Sequence, residues 1–368
     1  MMPLSKLALA LSTAVAILGT QNARAQIAPN SQTFFASDAP IALTLEAPLA
    51  ELFASKDAST NLLTMKKTKV SGTVKYGTAV FPVEVRMRGF SSLTACQFPK
   101  LTLKFQKENT IGTVFEGLGK LDLSTHCDAK DSSKNFMAAM DYAHREALVY
   151  RWLKIMNIPA YAARMANLTY KDTSGKTPLA TITKPAFFIE NLSSFLKRAD
   201  GIEIRAIDDE QHGKAPDNEE HRAAYTSLPD HPQIDREQLA RITLFENMIG
   251  NYDYLLERDL IWNLKLIELK DGRWFPIPLD FNLSSVTKGE EVQDISYNEF
   301  FNGVDAAVKL KLIGELESKK SELYDAVALL ESNSNGTAAF RAALKVKFER
   351  LEVIKAQILK AQAEPTKP

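Results

Sequence analysis

The stretch that decides the fold covers residues 250–282 and reads GNYDYLLERDLIWNLKLIELKDGRWFPIPLDFN. Its centre, Asp271-Gly272, is a dipeptide typical of two-residue hairpin turns, and apolar, alternating runs flank it on both sides. If the turn is that tight, continuing the strand pairing outward places Asn263 directly opposite Asp280, a register that a one-residue bulge would break. The sequence therefore predicts a hairpin whose open end brings an amide next to a carboxylate.

The polar residues around this hairpin follow the order Asp253, Asn263, Asp280. A base aspartate, an asparagine and a metal-binding aspartate occur in this order in protein kinases. The alternative is that the two aspartates only cap turns. Pro276 and Pro278 lie in the second strand, which favours an edge strand lining a cleft because proline cannot donate to a ladder.

The first 25 residues have the features of an export signal. Lys6 is the basic residue near the start, residues 7–18 are apolar, and residues 23–25 form a small-x-small cleavage motif. The apolar run is too short to span a bilayer, and no later run is long enough. We expect an exported protein without a membrane span, periplasmic or secreted, with a retained N-terminal anchor as the alternative.

The charge balance excludes some partners. The chain has 45 Lys and Arg against 45 Asp and Glu, and removal of residues 1–25 leaves 43 basic residues against 45 acidic ones. This balance gives no electrostatic reason to expect binding to nucleic acid or to an anionic membrane. The hydrophobic content of 45% fills a sizeable core, in one large domain or in two packed lobes.

The chain has two cysteines, Cys96 and Cys127. In an oxidising compartment they predict one disulfide, which would close a loop of about thirty residues and stabilise the fold by about 3–4 kcal/mol. A zinc site would need more ligands, and the five histidines are scattered. We therefore interpret the cysteines as structural.

Alternating and β-branched residues predict strands, and apolar spacings of three and four predict helices. The predicted strands cover residues 41–45, 70–76, 79–88, 101–105, 162–170 and 181–189. The predicted helices cover residues 137–157, 306–330 and 337–361, and a further helix begins with a capping box at Asp235. The acidic segment 200–232 is predicted to be a solvated connection, with a substrate-recognition loop as the lesser alternative.

Three charged residues of the first half are candidates for a site. Arg88 begins a turn rich in hydrogen-bonding groups, where it either pairs with a carboxylate or contacts a phosphate. Lys104 lies within a strand, and such a lysine is usually solvated. Glu146 shares a helix face with Tyr142 and Tyr150, so it is either partly buried and paired with a lysine or an ordinary surface glutamate.

Several short motifs occur in an order that resembles one protein family. They are RGFSS from Arg88, FPKLTLKF ending at Phe105, the helix around Arg145-Glu146, FFIEN ending at Asn191, GNYD ending at Asp253, Asn263, PLDFN around Asp280, and the cysteine contexts ACQFP and THCD. On these motifs the chain, over residues 40–330, resembles the secreted CotH-like atypical protein kinases, named for a spore-coat kinase.

The resemblance implies an α+β, two-lobed atypical protein-kinase-like fold. Its β-rich N-lobe with one long helix would cover residues 26–195, and its mostly helical C-lobe, with the hairpin, residues 196–368. ATP would be bound between the lobes. Lys104 would contact the phosphates and pair with Glu146, with Lys100 as the competing lysine, while Arg88 would contact phosphate and Glu190 would lie near the hinge.

The resemblance also implies roles for the hairpin. Asp253 would orient or deprotonate the hydroxyl of the acceptor, a protein serine or threonine or a small molecule, and Asn263 and Asp280 would hold Mg²⁺. The family usually has a second acid two residues after Asp280, where this chain has Asn282, which would ligate through its amide oxygen without adding charge. The alternatives are a pseudokinase that binds or supports partners in the cell envelope, and an unrelated envelope role such as glycan binding.

Overall fold

The computed structural model describes residues 33–57, 68–89, 91–129, 142–175, 179–204, 231–251, 263–289, 301, 303–330 and 334–363. The predicted export signal, the start of the long helix, most of the acidic segment and Asp253 lie outside these residues. None of the helices among the described residues is long and apolar enough to cross a membrane.

The chain is an α+β protein, as predicted. Its strands are β1 (Ile41–Ala47), β2 (Lys69–Tyr76), β3 (Ala79–Met87), β4 (Cys96–Phe98), β5 (Leu101–Phe105), β6 (Lys120–Ser124), β7 (Cys127–Ala129), β8 (Ala163–Asp172), β9 (Ile182–Ile189), β10 (Gly201–Ile204), β11 (Leu264–Leu269) and β12 (Trp274–Pro278). Its helices are α1 (Thr33–Ala36), α2 (Leu49–Asp57), α3 (Ser91–Ala95), α4 (Tyr142–Ile155), α5 (Leu192–Ala199), α6 (Arg236–Ile249), α7 (Ser285–Lys288), α8 (Ala306–Ser318), α9 (Lys320–Ala326) and α10 (Ser334–Ala363).

The main sheet of the described residues is a closed barrel with the strand order β1-β2-β3-β5-β6-β9-β8. Only the closing pair, β1 with β8, is parallel. Alternation along β1 turns Ile41, Leu43 and Leu45 inward, where they join a core filled by large aromatic side chains such as Phe115 and Phe188. The sequence predicts the strands but not their closure, because closure depends on pairing between segments more than a hundred residues apart.

A second hydrophobic core lies outside the barrel. It contains Trp152, Phe245, Phe281 and Phe340, and it joins α4 and the later helices to a three-stranded sheet of order β10-β11-β12. Helix α4 contributes most of its buried side chains to this core while it also contacts β8 and β9 of the barrel. It therefore links the two cores.

The hairpin forms where it is predicted, but with a different turn. Leu264 pairs with Pro278 and Glu268 with Trp274, so the loop contains three residues, not two. Gly272, at φ +79°, supplies the left-handed residue that closes such a loop with a bulge. The predicted register is therefore wrong by one residue, while β12 does lie at the edge of its sheet.

The other predicted elements are largely confirmed. The six predicted strands match β1, β2, β3, β5, β8 and β9 to within two residues at each end, and the Asp235 carboxylate caps α6 by accepting the Gln238 N–H at 2.9 Å. The other half of the predicted capping box does not form, because the Asp235 N–H donates to the Trp274 carbonyl at 3.0 Å. The helix predicted over residues 306–330 is broken at Lys319 into α8 and α9. Cys96 and Cys127 form the predicted disulfide, which ties β4 to β7.

Candidate functional site

The centre of the candidate site is the ammonium of Lys100, which directly precedes β5. Its Nζ lies 3.3 Å from Asp280 Oδ1 and 3.9 Å from Glu146 Oε1, and its side chain is 16% exposed. The backbone of Lys100 is held in the barrel because its carbonyl accepts the Arg88 N–H at 2.8 Å. One cation therefore joins the barrel, helix α4 and the segment that follows β12.

Lys104 is not part of this cluster. It is exposed and lies across from Glu84 and Lys120 on the neighbouring strands. Lys100 and Lys104 are both on the outer face of the barrel. Four residues separate them, which at the rise of a strand is roughly 13 Å, and α4 covers only the Lys100 end. The predicted pairing of Lys104 with Glu146 is therefore wrong, and the competing Lys100 occupies that position.

Glu146 is fully buried, not merely in part, at 2% exposure. The pKa of its carboxyl is raised to about 7, first by burial and also by the Asp280 carboxylate, although Lys100 and the Phe281 N–H act in the opposite direction. Burial alone would lower the pKa of Lys100, but Asp280 and Glu146 together raise it. Lys100 thus stays charged, and Glu146 Oε2 has no hydrogen-bond partner among the described residues.

Asp280 has an unusual backbone. Its φ is +58°, its N–H donates to the Tyr150 hydroxyl at 3.2 Å, and its side chain remains 41% exposed. The next residue, Phe281, is fully buried, with its ring 4.9 Å from that of Tyr150. A positive φ at a non-glycine residue persists only where its surroundings hold it, and such residues cluster at functional sites.

The two asparagines lie near Asp280, but not as the predicted register places them. The carbonyl of Asn263 accepts the Leu279 N–H at 3.0 Å, so Asn263 lies beside Leu279, not opposite Asp280. Asn263 is 7% exposed, and its Nδ2 has no hydrogen-bond partner among the described residues. Asn282 is 6% exposed and faces the pocket beside Lys100.

Arg88 and Glu190 each have a partner in the fold. Arg88 Nε lies 3.4 Å from the Asp122 carboxylate. Of the two interpretations of Arg88, pairing with a carboxylate is therefore the one that the structure shows. The Glu190 carboxylate is buried, bound by Arg198 at 2.7 Å and by the Ala162 N–H at 3.1 Å, and it ties the end of β9 to α5. Contact of either residue with a nucleotide stays a prediction.

A small pocket opens beside Lys100, with about 270 Å³ of empty space including open solvent. It is lined by Ser92, Cys96, Lys100, Thr125, Cys127, Tyr142 and Asn282. The disulfide is thus a wall of the site as well as a structural crosslink. Sequence reasoning missed this wall, although Cys96 lies only four residues before Lys100 and Tyr142 only four before Glu146.

The donor set suits a weakly held magnesium ion. The described residues contain no cluster of three or more His, Cys, Asp or Glu side chains. They do include one half-exposed carboxylate, Asp280, with Asn282 two residues later along the chain at the pocket and Asn263 beside Leu279. Magnesium is commonly bound through one or two carboxylates together with substrate phosphates and waters, so these oxygen donors fit a metal that arrives with a nucleotide.

Comparison with known proteins adds little to this geometry. No family model matches the chain, and no curated protein is similar to it. Among solved structures, the chain is similar to the crystal structure of a Helicobacter pylori proinflammatory kinase, CtkA, with a TM-score of 0.43 and 7% identity over 72% of this chain and 95% of that one. A similarity of this size identifies neither a family nor an activity.

Proposed function

We propose that the protein is an exported, two-lobed CotH-like kinase that transfers phosphate from ATP to a hydroxyl of a protein or small-molecule acceptor, with Mg²⁺. The observation that carries the proposal is the position of the Lys100 ammonium between Glu146 and Asp280. A lysine paired with a helical glutamate, next to a metal-binding aspartate, is the combination that kinases require.

The chemistry of phosphoryl transfer fits this arrangement. The reaction needs positioning and charge neutralisation more than it needs a covalent partner. Glu146 holds Lys100 from the buried side, and the half-exposed Asp280 carboxylate contacts the same ammonium. Bound magnesium would neutralise charge on the phosphates. The role of Asp253 in orienting the acceptor hydroxyl stays a prediction, because Asp253 lies outside the described residues.

Further features support the architecture and the location. The two separate hydrophobic cores support two lobes, with the Lys100 cluster where α4 joins them. The disulfide and the features of residues 1–25 support export to an oxidising compartment such as the periplasm.

A pseudokinase on the same fold is the second candidate, and one observation favours it. An amide, Asn282, stands where the family usually has a second acid. Metal would then be held by one charge only, and the protein would bind nucleotide without transferring phosphate.

The test compares two lysine variants of the same type. Lys100→Met removes the central cation, and Lys104→Met removes an exposed one. We expect wild type and Lys104→Met to incorporate labelled phosphate equally, while Lys100→Met and Asp280→Ala lose roughly 100-fold or more, the scale of removing one stabilising group from a transition state.

The outcomes separate the candidates. Equal incorporation by wild type, Lys100→Met and Asp280→Ala contradicts the proposed site. A thermal shift with ATP and Mg²⁺ but no phosphate transfer by wild type favours the pseudokinase. If the nucleotide produces neither a thermal shift nor transfer, both candidates are wrong.

A further inference from the structure

A side chain of helix α4 binds the backbone of the segment after β12. The Tyr150 hydroxyl accepts the Asp280 N–H at 3.2 Å. Glu146 lies four residues earlier, on the same face of the helix, with its Oε1 3.9 Å from Lys100 Nζ. The face that carries Glu146 to Lys100 therefore also binds the backbone N–H of Asp280.

The backbone of Asp280 needs such support. At φ +58° it lies in the left-handed region, which is unfavourable for residues with a Cβ atom. In this conformation its Oδ1 lies 3.3 Å from Lys100 Nζ. A return to negative φ would turn the Cα–Cβ bond and move the carboxylate away from the lysine. The position of the carboxylate thus depends on what holds the backbone.

Tyr150 is itself held firmly. Its side chain is 4% exposed, and its ring packs edge-on against Phe281 at 4.9 Å and lies 6.0 Å from the ring of Phe187. Burial, with the nearby carboxylates of Glu146 and Asp280, raises the pKa of the phenol well above its ordinary value. Tyr150 therefore remains a neutral phenol whose oxygen accepts the Asp280 N–H.

We propose that Tyr150 is a positioning residue for Asp280: its hydroxyl holds the Asp280 backbone in the left-handed conformation that directs the carboxylate to Lys100. Tyr150 does not touch the substrate in this proposal and acts only through Asp280. The effect of Tyr150 on binding of the metal–nucleotide complex rests on the proposed function. The effect of Tyr150 on the Asp280 backbone does not depend on that function.

The test is Tyr150→Phe, with Tyr170→Phe as the matched control. Both changes remove a buried hydroxyl and keep the ring. The Tyr170 hydroxyl, in the barrel core, has no hydrogen-bond partner among the described residues, so its removal breaks no bond identified there. Because Tyr150→Phe keeps the packing against Phe281, we expect both variants to fold, which their thermal unfolding checks.

Two readouts are needed. The first is hydrogen exchange of the Asp280 amide, followed by NMR, which we expect to be about tenfold faster in Tyr150→Phe only, the scale of one lost hydrogen bond. The second is the Kd for ATP with Mg²⁺ and with EDTA, measured well below the unfolding temperature. With Mg²⁺ we expect the Kd to rise about five- to tenfold in Tyr150→Phe, and with EDTA less than about twofold.

Unchanged exchange at Asp280 in Tyr150→Phe, or equal acceleration in both variants, overturns the positioning role. Faster exchange with an unchanged Kd for Mg²⁺ and ATP overturns the claim that the Asp280 conformation serves metal binding. If wild type does not bind ATP with Mg²⁺, the proposed function fails, and the exchange result alone still decides whether Tyr150 holds Asp280.

Discussion

A buried histidine predicts a loss of stability in mild acid. His126 lies between β6 and β7 at 5% exposure, with its ring 4.5 Å from that of Phe98 and 5.4 Å from that of Tyr170. Neither ring nitrogen has a hydrogen-bond partner among the described residues. The pKa of His126 is lowered to about 4, mainly by burial and secondly by the charge of Lys184.

The sign and size of the effect follow from proton linkage. An unfolded histidine titrates near pH 6.5, so between about pH 6.5 and pH 4 the unfolded chain binds more protons at His126 than the folded chain does. The contribution of neutral His126 to the free energy of unfolding is fully present above about pH 6.5 and falls as the pH drops towards 4. The difference between the pKa of His126 in the unfolded and in the folded chain corresponds to roughly 3 kcal/mol of unfolding free energy.

The assay is urea unfolding of the wild type and His126→Leu at several pH values from 7.5 to 4. Titration of carboxylates contributes to both proteins, so the difference between their pH slopes isolates His126. We expect the wild type to lose roughly 3 kcal/mol more than the variant. Parallel pH curves for the wild type and His126→Leu would refute the reasoning.

Three further predictions concern the site and its surroundings. Replacing Cys96 and Cys127 by serine should lower the free energy of unfolding by about 3–4 kcal/mol in urea, because the disulfide closes a loop with a sequence separation of 31; no loss would contradict this. Glu190→Gln should cost about 3–5 kcal/mol by leaving Arg198 without its carboxylate, with the Kd for ATP unchanged. A raised Kd at unchanged stability would instead assign Glu190 to nucleotide binding. Asn282→Asp should tighten Mg²⁺ binding about tenfold by calorimetry and lower stability without metal, because it adds a charge at a buried position; weaker Mg²⁺ binding would contradict a metal-facing Asn282.

Local patterns in the chain predict local structure well. The alternation in β1 and β3 and the helix N-cap at Asp235 require only neighbouring residues, and the structure confirms them. The disulfide is also predictable, because two cysteines allow one pairing. The place of Glu146 on an apolar helix face allows either a buried glutamate paired with a lysine or a surface glutamate, and the structure shows the first. These features depend on short-range geometry or on a small number of alternatives.

The sequence by itself determined six of the barrel strands, the hairpin, the long helices, the disulfide and a short set of candidate charged residues. Only the tertiary structure decided that Lys100, and not Lys104, meets Glu146, because the lysines are four residues apart and the packing of α4 brings Glu146 to the first of them. It also decided the hairpin register, since one left-handed glycine at residue 272 adds a residue to the loop and moves Asn263 from Asp280 to Leu279. The first outcome depends on contacts between distant segments, which no local pattern records, and the second depends on the conformation of the turn, which the Asp271-Gly272 dipeptide alone does not fix.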